Sequence, residues 1–250
     1  MKRLLALLLA LVMCLSMFAC GDDKKDKKDK DEEDTTVETT EATTEEITEA
    51  PVEKIEPDKI IESGDFEIAV YGDKATITRY LGNSSSAVIP SEIEGYKITA
   101  IGDCAFNLCI LQSIEIPNSV TAIGERAFES CYSLQSIEIP NSVTEIGERA
   151  FARCESLESI EIPSSVTEIG YSAFFYCRSL QSIEIPNSVT EIGKSAFGWC
   201  TSLQSIEIPN SVTAIGERAF ARCESLTIKC EAGSVAEQYA KDNKINYVTE

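Results

Sequence analysis

Six of the ten cysteines occupy one position of a repeated sequence, three residues after a phenylalanine. If the repeats stack, equivalent residues form a column with a spacing of about 4.8 Å, which is close enough for disulfides between neighbours. The side chains of such a column project in parallel into the core, however, where a thiol packs as a small apolar group. We therefore predict a buried column of reduced thiols. Its members are Cys109, Cys131, Cys154, Cys177, Cys200 and Cys223.

Metal binding and disulfide formation are the alternatives for these cysteines. Zinc needs ligands that converge on one point, whereas the six residues form a line, and the chain contains no histidine. We therefore predict no metal site at the cysteines. If disulfides form, we expect them between Cys104 and Cys109 or between Cys223 and Cys230.

Five glutamates also share one repeat position, each flanked by a serine. Stacking would bring their carboxylates together in an exposed row, where adjacent like charges repel. One interpretation is a solvated face copied by repeat duplication. The other is an acidic stripe that receives weakly bound calcium or a basic protein. The row consists of Glu115, Glu138, Glu161, Glu184 and Glu207.

Four aromatic residues fall in two neighbouring repeats, at positions where the sister repeats carry Glu-Arg or Ala-Arg. Clustered exposed aromatic side chains are uncommon on monomers and suit contact with a protein or glycan. Local packing on the outer flank, or sequence drift, would be the simpler explanation. The candidate patch consists of Tyr171, Phe175, Tyr176 and Trp199.

Catalysis and nucleic-acid binding are not indicated. Without histidine, no serine or cysteine has the usual general base, and no glycine-rich loop resembles a phosphate cradle. The repeated glycines, such as Gly147, are explained by turn geometry. Residues 59–250 contain 26 acidic and 14 basic residues, so a duplex would find no basic stripe. Cations or basic proteins are better suited partners, and we predict neither an enzyme nor a resident cofactor.

These side chains are positioned by a repeat of 23 residues, which reads LQSIEIPNSVTEIGERAFARCES from Leu134. A constant period in this range is typical of a solenoid. Alternating Ile137 and Ile139 predict a short strand in a parallel ladder, which Pro140 ends. The spacing of Ala150, Phe151 and Cys154 predicts one helical turn on the opposite side.

The pattern L-x-x-I-x-I-P-x-S-V-T-x-I-G-x-x-A-F-x-x-C over residues 88–223 resembles the BspA-like leucine-rich repeats of bacterial surface proteins. This resemblance implies a right-handed α/β-type coil with a parallel sheet on one face and short helical or 3-10 turns on the other. It also implies a β cap at 66–102 and a closing cap at 233–248. Ser234 and Glu237 form a capping-box pattern for a short helix in the closing cap, which Asn243 could end.

The N-terminal part predicts export. Lys2 and Arg3 precede an apolar run that is too short to span a membrane comfortably. Ala19-Cys20-Gly21 resembles the lipobox of bacterial lipoproteins, which implies acylation of Cys20 and attachment to the outer side of the cell membrane. Ordinary signal cleavage with free secretion is the alternative. The acidic, threonine-rich residues that follow predict a disordered tether.

The predicted organisation has five parts. They are a signal at 1–19, a tether at 20–60, a cap with a first degenerate repeat at 61–102, 23-residue repeats at 103–226 and a closing cap at 227–250. We expect a monomer that binds a surface protein or glycan and touches the membrane only through its lipid. The alternative function is a structural display spacer without a dedicated ligand.

Overall fold

The computed structural model describes residues 56–249, which form a parallel β solenoid with a cap at each end. The predicted signal, Cys20 and the tether up to residue 55 lie outside the described residues. The first strand begins at Lys59, so the last two residues assigned to the tether belong to the opening cap. Ile60 in this strand is 61% exposed, which explains why the sequence pattern gave no sign of it. None of the helices in the described range has the length and apolarity that crossing a membrane requires.

Strands form the opening cap. They are Lys59–Ser63 (β1), Phe66–Tyr71 (β2), Lys74–Tyr80 (β3), Ser86–Val88 (β4), Glu92–Ile93 (β5) and Tyr96–Ile101 (β6). β1, β2 and β3 form an antiparallel meander, with Gly64 and Gly72 in its turns at φ values of 59° and 64°. Glycine is favoured there because a side chain would be strained at positive φ. β3 then pairs in parallel with β6, which starts the coil.

Each following coil contributes a three-residue strand and a two-residue strand. The longer strands are Ser113–Glu115 (β7), Ser136–Glu138 (β9), Ser159–Glu161 (β11), Ser182–Glu184 (β13) and Ser205–Glu207 (β15). The shorter strands are Ala122–Ile123 (β8), Glu145–Ile146 (β10), Glu168–Ile169 (β12), Glu191–Ile192 (β14) and Ala214–Ile215 (β16). The longer strands pair in parallel from β4 to β15, and Ile137 lies directly opposite Ile160. The predicted register of successive repeats is therefore confirmed.

Columns of identical side chains fill the interior. The six phenylalanines of the Ala-Phe pairs are buried, and neighbouring rings stack with centroids 5.0 to 5.5 Å apart. Tyr80 stacks on the first ring, and Tyr239 meets the last one edge-on. Burial of each ring stabilises the fold by roughly 1.5 to 3 kcal/mol. The column consists of Phe106, Phe128, Phe151, Phe174, Phe197 and Phe220.

The Ala-Phe segments form consecutive turns with bonds of the 3-10 type, as the family resemblance implies, and not the one α-helical turn that the spacing favours. Backbone amides alternate between two kinds of acceptor: Glu129 donates to the Arg126 carbonyl at 3.0 Å, whereas Phe128 donates to Ala150 of the next coil at 2.8 Å. The first bond is of the 3-10 type. Arg126 has a φ of 54°, which interrupts a helix, and the equivalent residue of each later coil is also left-handed. Alternate amides thereby become free to tie neighbouring coils together.

The repeated glycines are required by close packing between coils, and the explanation from turn geometry is wrong. None of these glycines has a positive φ. A Cβ on Gly147 would come within 2.5 Å of the carbonyl carbon of Gly124, and one on Gly193 within 2.7 Å of that of Gly170. Backbone at such distances cannot accommodate a side chain, so these coils need glycine because the preceding coil lies against it, with Gly170 as the exception.

The ladder of two-residue strands is interrupted once, between β10 and β12. Strands up to β10 belong to one sheet, and β12, β14 and β16 form another. On either side of the interruption, threonine amides bond to the preceding coil: the Thr144 amide donates to the Thr121 carbonyl, and the Thr190 amide to the Thr167 carbonyl, both at 2.9 Å. Within the described chain, the equivalent bond from the Thr167 amide to the Thr144 carbonyl is not formed. A Cβ at Gly170 would find its nearest neighbours at 3.6 Å, so the coils are more widely spaced here.

The closing cap extends the sheet and covers its end. It contains Thr227–Cys230 (β17), Val235–Asn243 (α1) and Asn246–Thr249 (β18). Ser234 accepts a hydrogen bond from the Glu237 amide, and the Glu237 carboxylate accepts one from the Gly233 amide, one residue before the expected position. The helix ends after Asn243 as predicted, because Lys244 turns left-handed with a φ of 57°. β17 and β18 continue the parallel ladder from β15.

Candidate binding surfaces

The strand face carries the five glutamates of the predicted acidic row. Each lies directly opposite the next in the register of β7 to β15, and all five are exposed. The row ends at Val88, opposite Glu115, and at Lys229, opposite Glu207. The carboxylates are thus collected on one flat surface. A binding role for this surface stays a prediction.

A calcium ion on this row would need about six to eight oxygen ligands, and each strand contributes only one glutamate. In residues 56–249, no three side chains of aspartate, glutamate, cysteine or histidine come together as a metal site. The geometry therefore gives the calcium interpretation no support.

A second acidic surface was not predicted from the sequence. It lies at the interruption between β10 and β12, where a cleft of about 520 Å³ is lined by Asp103, Glu145, Glu148 and Glu168. Glu168 lies directly opposite Glu191 of the next coil. The repeated Thr-Glu-Ile-Gly motif was the available signal, because it places a glutamate at one position of three successive coils.

Three of the four predicted patch residues contact one another. The Phe175 and Tyr176 ring centroids are 4.8 Å apart in an edge-on arrangement. Tyr176 and Trp199 stack at 5.2 Å with an angle of 21° between the ring planes. A Cβ on Gly198 would come within 2.9 Å of the Phe175 ring, so the glycine of one coil makes room for the phenylalanine of the preceding one.

Two arginines extend this stack in both directions. Tyr176 and Trp199 precede the column cysteines of their coils, and Arg153 and Arg222 hold the same position in the flanking coils. The Arg153 guanidinium carbon lies 5.9 Å from the Tyr176 centroid, and that of Arg222 lies 5.5 Å from the Trp199 centroid. Because equivalent residues lie in line, both faces of each ring are covered. We call these four residues the Arg-aromatic column. The sequence predicted the aromatic members as a site and treated Arg153 and Arg222 only as the residues that the sister repeats carry at the same position.

The fourth patch residue, Tyr171, lies apart from the other three. Its hydroxyl accepts a hydrogen bond from Arg149 Nη2 at 3.4 Å, and the guanidinium carbon lies 5.2 Å from its ring centroid. This hydrogen bond is the main reason why the pKa of Tyr171 is lowered. No ring contact joins Tyr171 to the other three within the described part of the chain. The predicted patch therefore divides into a cluster of three and a separate Tyr171 and Arg149 pair.

The repeated cysteines form the predicted column, in which five members are buried and Cys109 in the first coil is partly buried. Cys131 Sγ donates to the Phe106 carbonyl at 3.0 Å, and the next four cysteines make the equivalent bond at 3.1 to 3.2 Å. All six carry free thiols, which confirms the prediction of a reduced column. Cys230 is also a free thiol. Because Cys109 and Cys223 are free too, neither of the two alternative disulfides is present.

Burial makes these thiols poor nucleophiles. It raises the pKa of Cys177 to about 12 and that of Cys223 to about 11. The pKa values of Cys154 and Cys200 are also raised, mainly by burial. Since the thiolate is the reactive species, these four thiols are poorly reactive near neutral pH. Five thiols of the column, from Cys131 to Cys223, serve as core groups that satisfy a carbonyl of the preceding coil.

A solenoid with strand columns on one side and turns on the other defines a leucine-rich repeat protein. A model of the BspA type leucine rich repeat region matches residues 99–227 in six copies, and the chain belongs to this family. No catalytic family is indicated. A comparison with curated proteins gives no match.

Solved structures of bacterial proteins share the fold. The leucine rich repeat protein of T. pallidum is 31% identical, with a TM-score of 0.66 over 76% of this chain and 98% of that one. A leucine rich cell surface protein of Faecalibacterium prausnitzii A2-165 is 32% identical, with a TM-score of 0.56 over 69% of this chain and 54% of that one. The pneumococcal vaccine antigen PcpA is 24% identical, with a TM-score of 0.54 over 72% of this chain and 51% of that one, and shows the fold alone.

Proposed function

We propose that the chain is a recognition module on the bacterial cell surface, which binds a surface protein or glycan through the Arg-aromatic column. One observation carries the proposal: the residues that break the repeat symmetry contact one another. Tyr176 and Trp199 stack at 5.2 Å, and an arginine covers each outer face. The fold does not need these residues, since the equivalent position holds Ser130 in an earlier coil.

The composition of the column suits binding. Tryptophan, tyrosine and arginine are the residues that most often dominate the energy of an interface. Their contacts with one another hold the side chains in place before a ligand arrives, which lowers the entropy cost of association. Tyr176 and Trp199 remain partly exposed, so the ring edges are accessible. We propose that the acidic row has a secondary role, as a surface for a basic protein.

Location and anchoring are also part of the proposal. A relative described as a cell surface protein shares the fold, which supports display outside the cell. Acylation of Cys20 would hold the chain on the outer side of the membrane. The test is metabolic labelling with a fatty acid: the native chain should incorporate label, and Cys20→Ala should remove it and release protein into the medium. Unlabelled native protein would leave free secretion as the explanation.

A display spacer without a ligand is the second candidate, because the coils outside the column are nearly identical in sequence. The two functions differ in a screen against surface extracts and a glycan array. The double variant Tyr176→Asn with Trp199→Asn should lose binding, and Glu161→Lys should keep it. Asparagine tolerates the left-handed backbone at 176 and 199, both with a φ of 65°.

A matched control is Leu108→Asn, which changes the same repeat position two coils before the column. Leu108 is 58% exposed and left-handed, with a φ of 61°. It should bind like the native chain. If the double variant binds as well as this control, the column is not the site. If no molecule in either screen binds the native chain, the spacer is the better explanation.

A further inference from the structure

A pocket of about 290 Å³ lies where the last coil meets the closing cap. One wall contains Arg222, the last member of the Arg-aromatic column, and Arg218 from the same turn segment. The other wall contains Tyr239 from α1 and Lys244 just after it. The pocket therefore continues the column into a concave site formed by two separate elements.

The charge of this pocket is opposite to that of the domain. Residues 59–250 have 26 acidic and 14 basic residues, yet three bases line the pocket against one acid, Glu224. Among the described residues, neither Arg222 nor Lys244 takes part in an ion pair. Arg218 pairs with an exposed carboxylate of its own turn at 3.4 Å. At least two cations are thus free to receive an anion.

Neutral donors complete the site. The Tyr239 hydroxyl accepts a hydrogen bond from the Phe220 amide at 3.4 Å, which leaves its proton available for a ligand. Burial is the main cause that raises the pKa of Tyr239, so the hydroxyl stays protonated near neutral pH. The Lys244 amide donates to the carbonyls of Ala240 and Lys241, which covers the negative end of the helix.

We propose that this pocket binds the carboxylate of an acidic sugar whose glycan continues along the Arg-aromatic column. The inference rests on the proposed function, because Arg222 belongs to both sites. Guanidinium groups pair with carboxylates through two parallel hydrogen bonds. Both faces of Tyr176 and Trp199 are already covered, so the column offers ring edges and N–H groups to polar substituents rather than a free face for a neutral sugar ring. A pocket of about 290 Å³ that ends at the cap suits one terminal sugar.

Binding of polygalacturonate to the full chain tests the proposal, with the same polymer after carboxyl reduction as the neutral control. Surface plasmon resonance should show binding of the acidic polymer that is at least about tenfold tighter than that of the reduced one and that weakens with salt. Lys244→Asn and Arg218→Asn should each weaken binding about tenfold, since each removes one charged donor. Both positions are left-handed, which asparagine tolerates. Lys229→Asn removes an exposed cation from the strand face and should change nothing.

The outcomes separate this inference from the proposed function. Equal affinity for the acidic and reduced polymers, or no binding of either, would overturn it. Equally tight binding of poly-glutamate would show that the pocket accepts acidic peptides, which overturns its assignment to glycans. If a ligand found in the screens depends on Tyr176 and Trp199 but is unaffected by Lys244→Asn and Arg218→Asn, the proposed function stands and the acidic-sugar pocket is wrong.

Discussion

The cysteine column should make the fold sensitive to alkali, and Cys177 allows the effect to be worked out. This thiol is fully buried, and burial raises its pKa from 9.0 to about 12. The folded chain therefore holds the proton more tightly than the unfolded chain does. The resulting stability is fully present below about pH 9 and is lost as the pH rises toward 12. At pH 10 the loss from this one group is about 1.4 kcal/mol.

The assay compares urea unfolding of the native chain and Cys177→Ala at pH 7.5 and pH 10, under reducing conditions. Alanine removes the titrating group, while tyrosines and lysines titrate in both proteins and cancel in the difference. The native chain should be the more stable one at pH 7.5, and its advantage should shrink by about 1.4 kcal/mol at pH 10. An advantage that is the same at both pH values would refute the reasoning. It would mean that the buried thiol does not resist ionisation.

Three further predictions concern the coils. Gly147→Ala should lower the unfolding free energy by roughly 1 to 3 kcal/mol, because its Cβ would lie 2.5 Å from the Gly124 backbone. For Gly170→Ala the nearest atoms to the new Cβ lie at 3.6 Å, so its unfolding free energy should stay within about 1 kcal/mol of that of the native chain. Equal thermal shifts would contradict the wider spacing at 170. Phe174→Ala should lower the free energy of unfolding in urea by about 3 to 5 kcal/mol, since the Phe174 ring stacks on the rings of both neighbouring coils. A decrease below about 1 kcal/mol would show that the phenylalanine column tolerates a gap. Glu161→Gln should raise the melting temperature slightly at low salt and not at high salt, because it removes one charge from the acidic row; a salt-independent change would point to another cause.

The columns could be predicted because the period is constant. A repeat of 23 residues with alternating Ile137 and Ile139 has one way to bury both, and this places every equivalent side chain in line. The buried cysteines and the acidic row derive from that register, whereas the helix that follows Ser234 was predictable from its capping-box residues. Their placement required only the spacing of residues along the chain.

Features that depend on the distance between neighbouring backbones could not be predicted. Gly147 looks like a turn residue in sequence, and only the approach of Gly124 shows why it is needed. The interruption before Gly170 has no counterpart in the nearly identical repeats, and nothing in the structure explains it. Arg153 and Arg222 were not predicted to belong to the site because arginine is ordinary on a surface, and its contact with an aromatic ring becomes visible only when the coils are stacked.

The alternating amide pattern of the turns has an evolutionary consequence. Every coil bonds only with the coil on either side, through equivalent atoms such as the Phe128 amide and the Ala150 carbonyl. Unequal crossing-over between the repeated gene segments would therefore insert or delete whole coils without disturbing any interior, and each coil gained or lost would change the length of the solenoid by about 4.8 Å. A lineage could adjust the length of the solenoid in this way and still keep Arg153, Tyr176, Trp199 and Arg222 in contact, provided that the exchange falls outside their four coils.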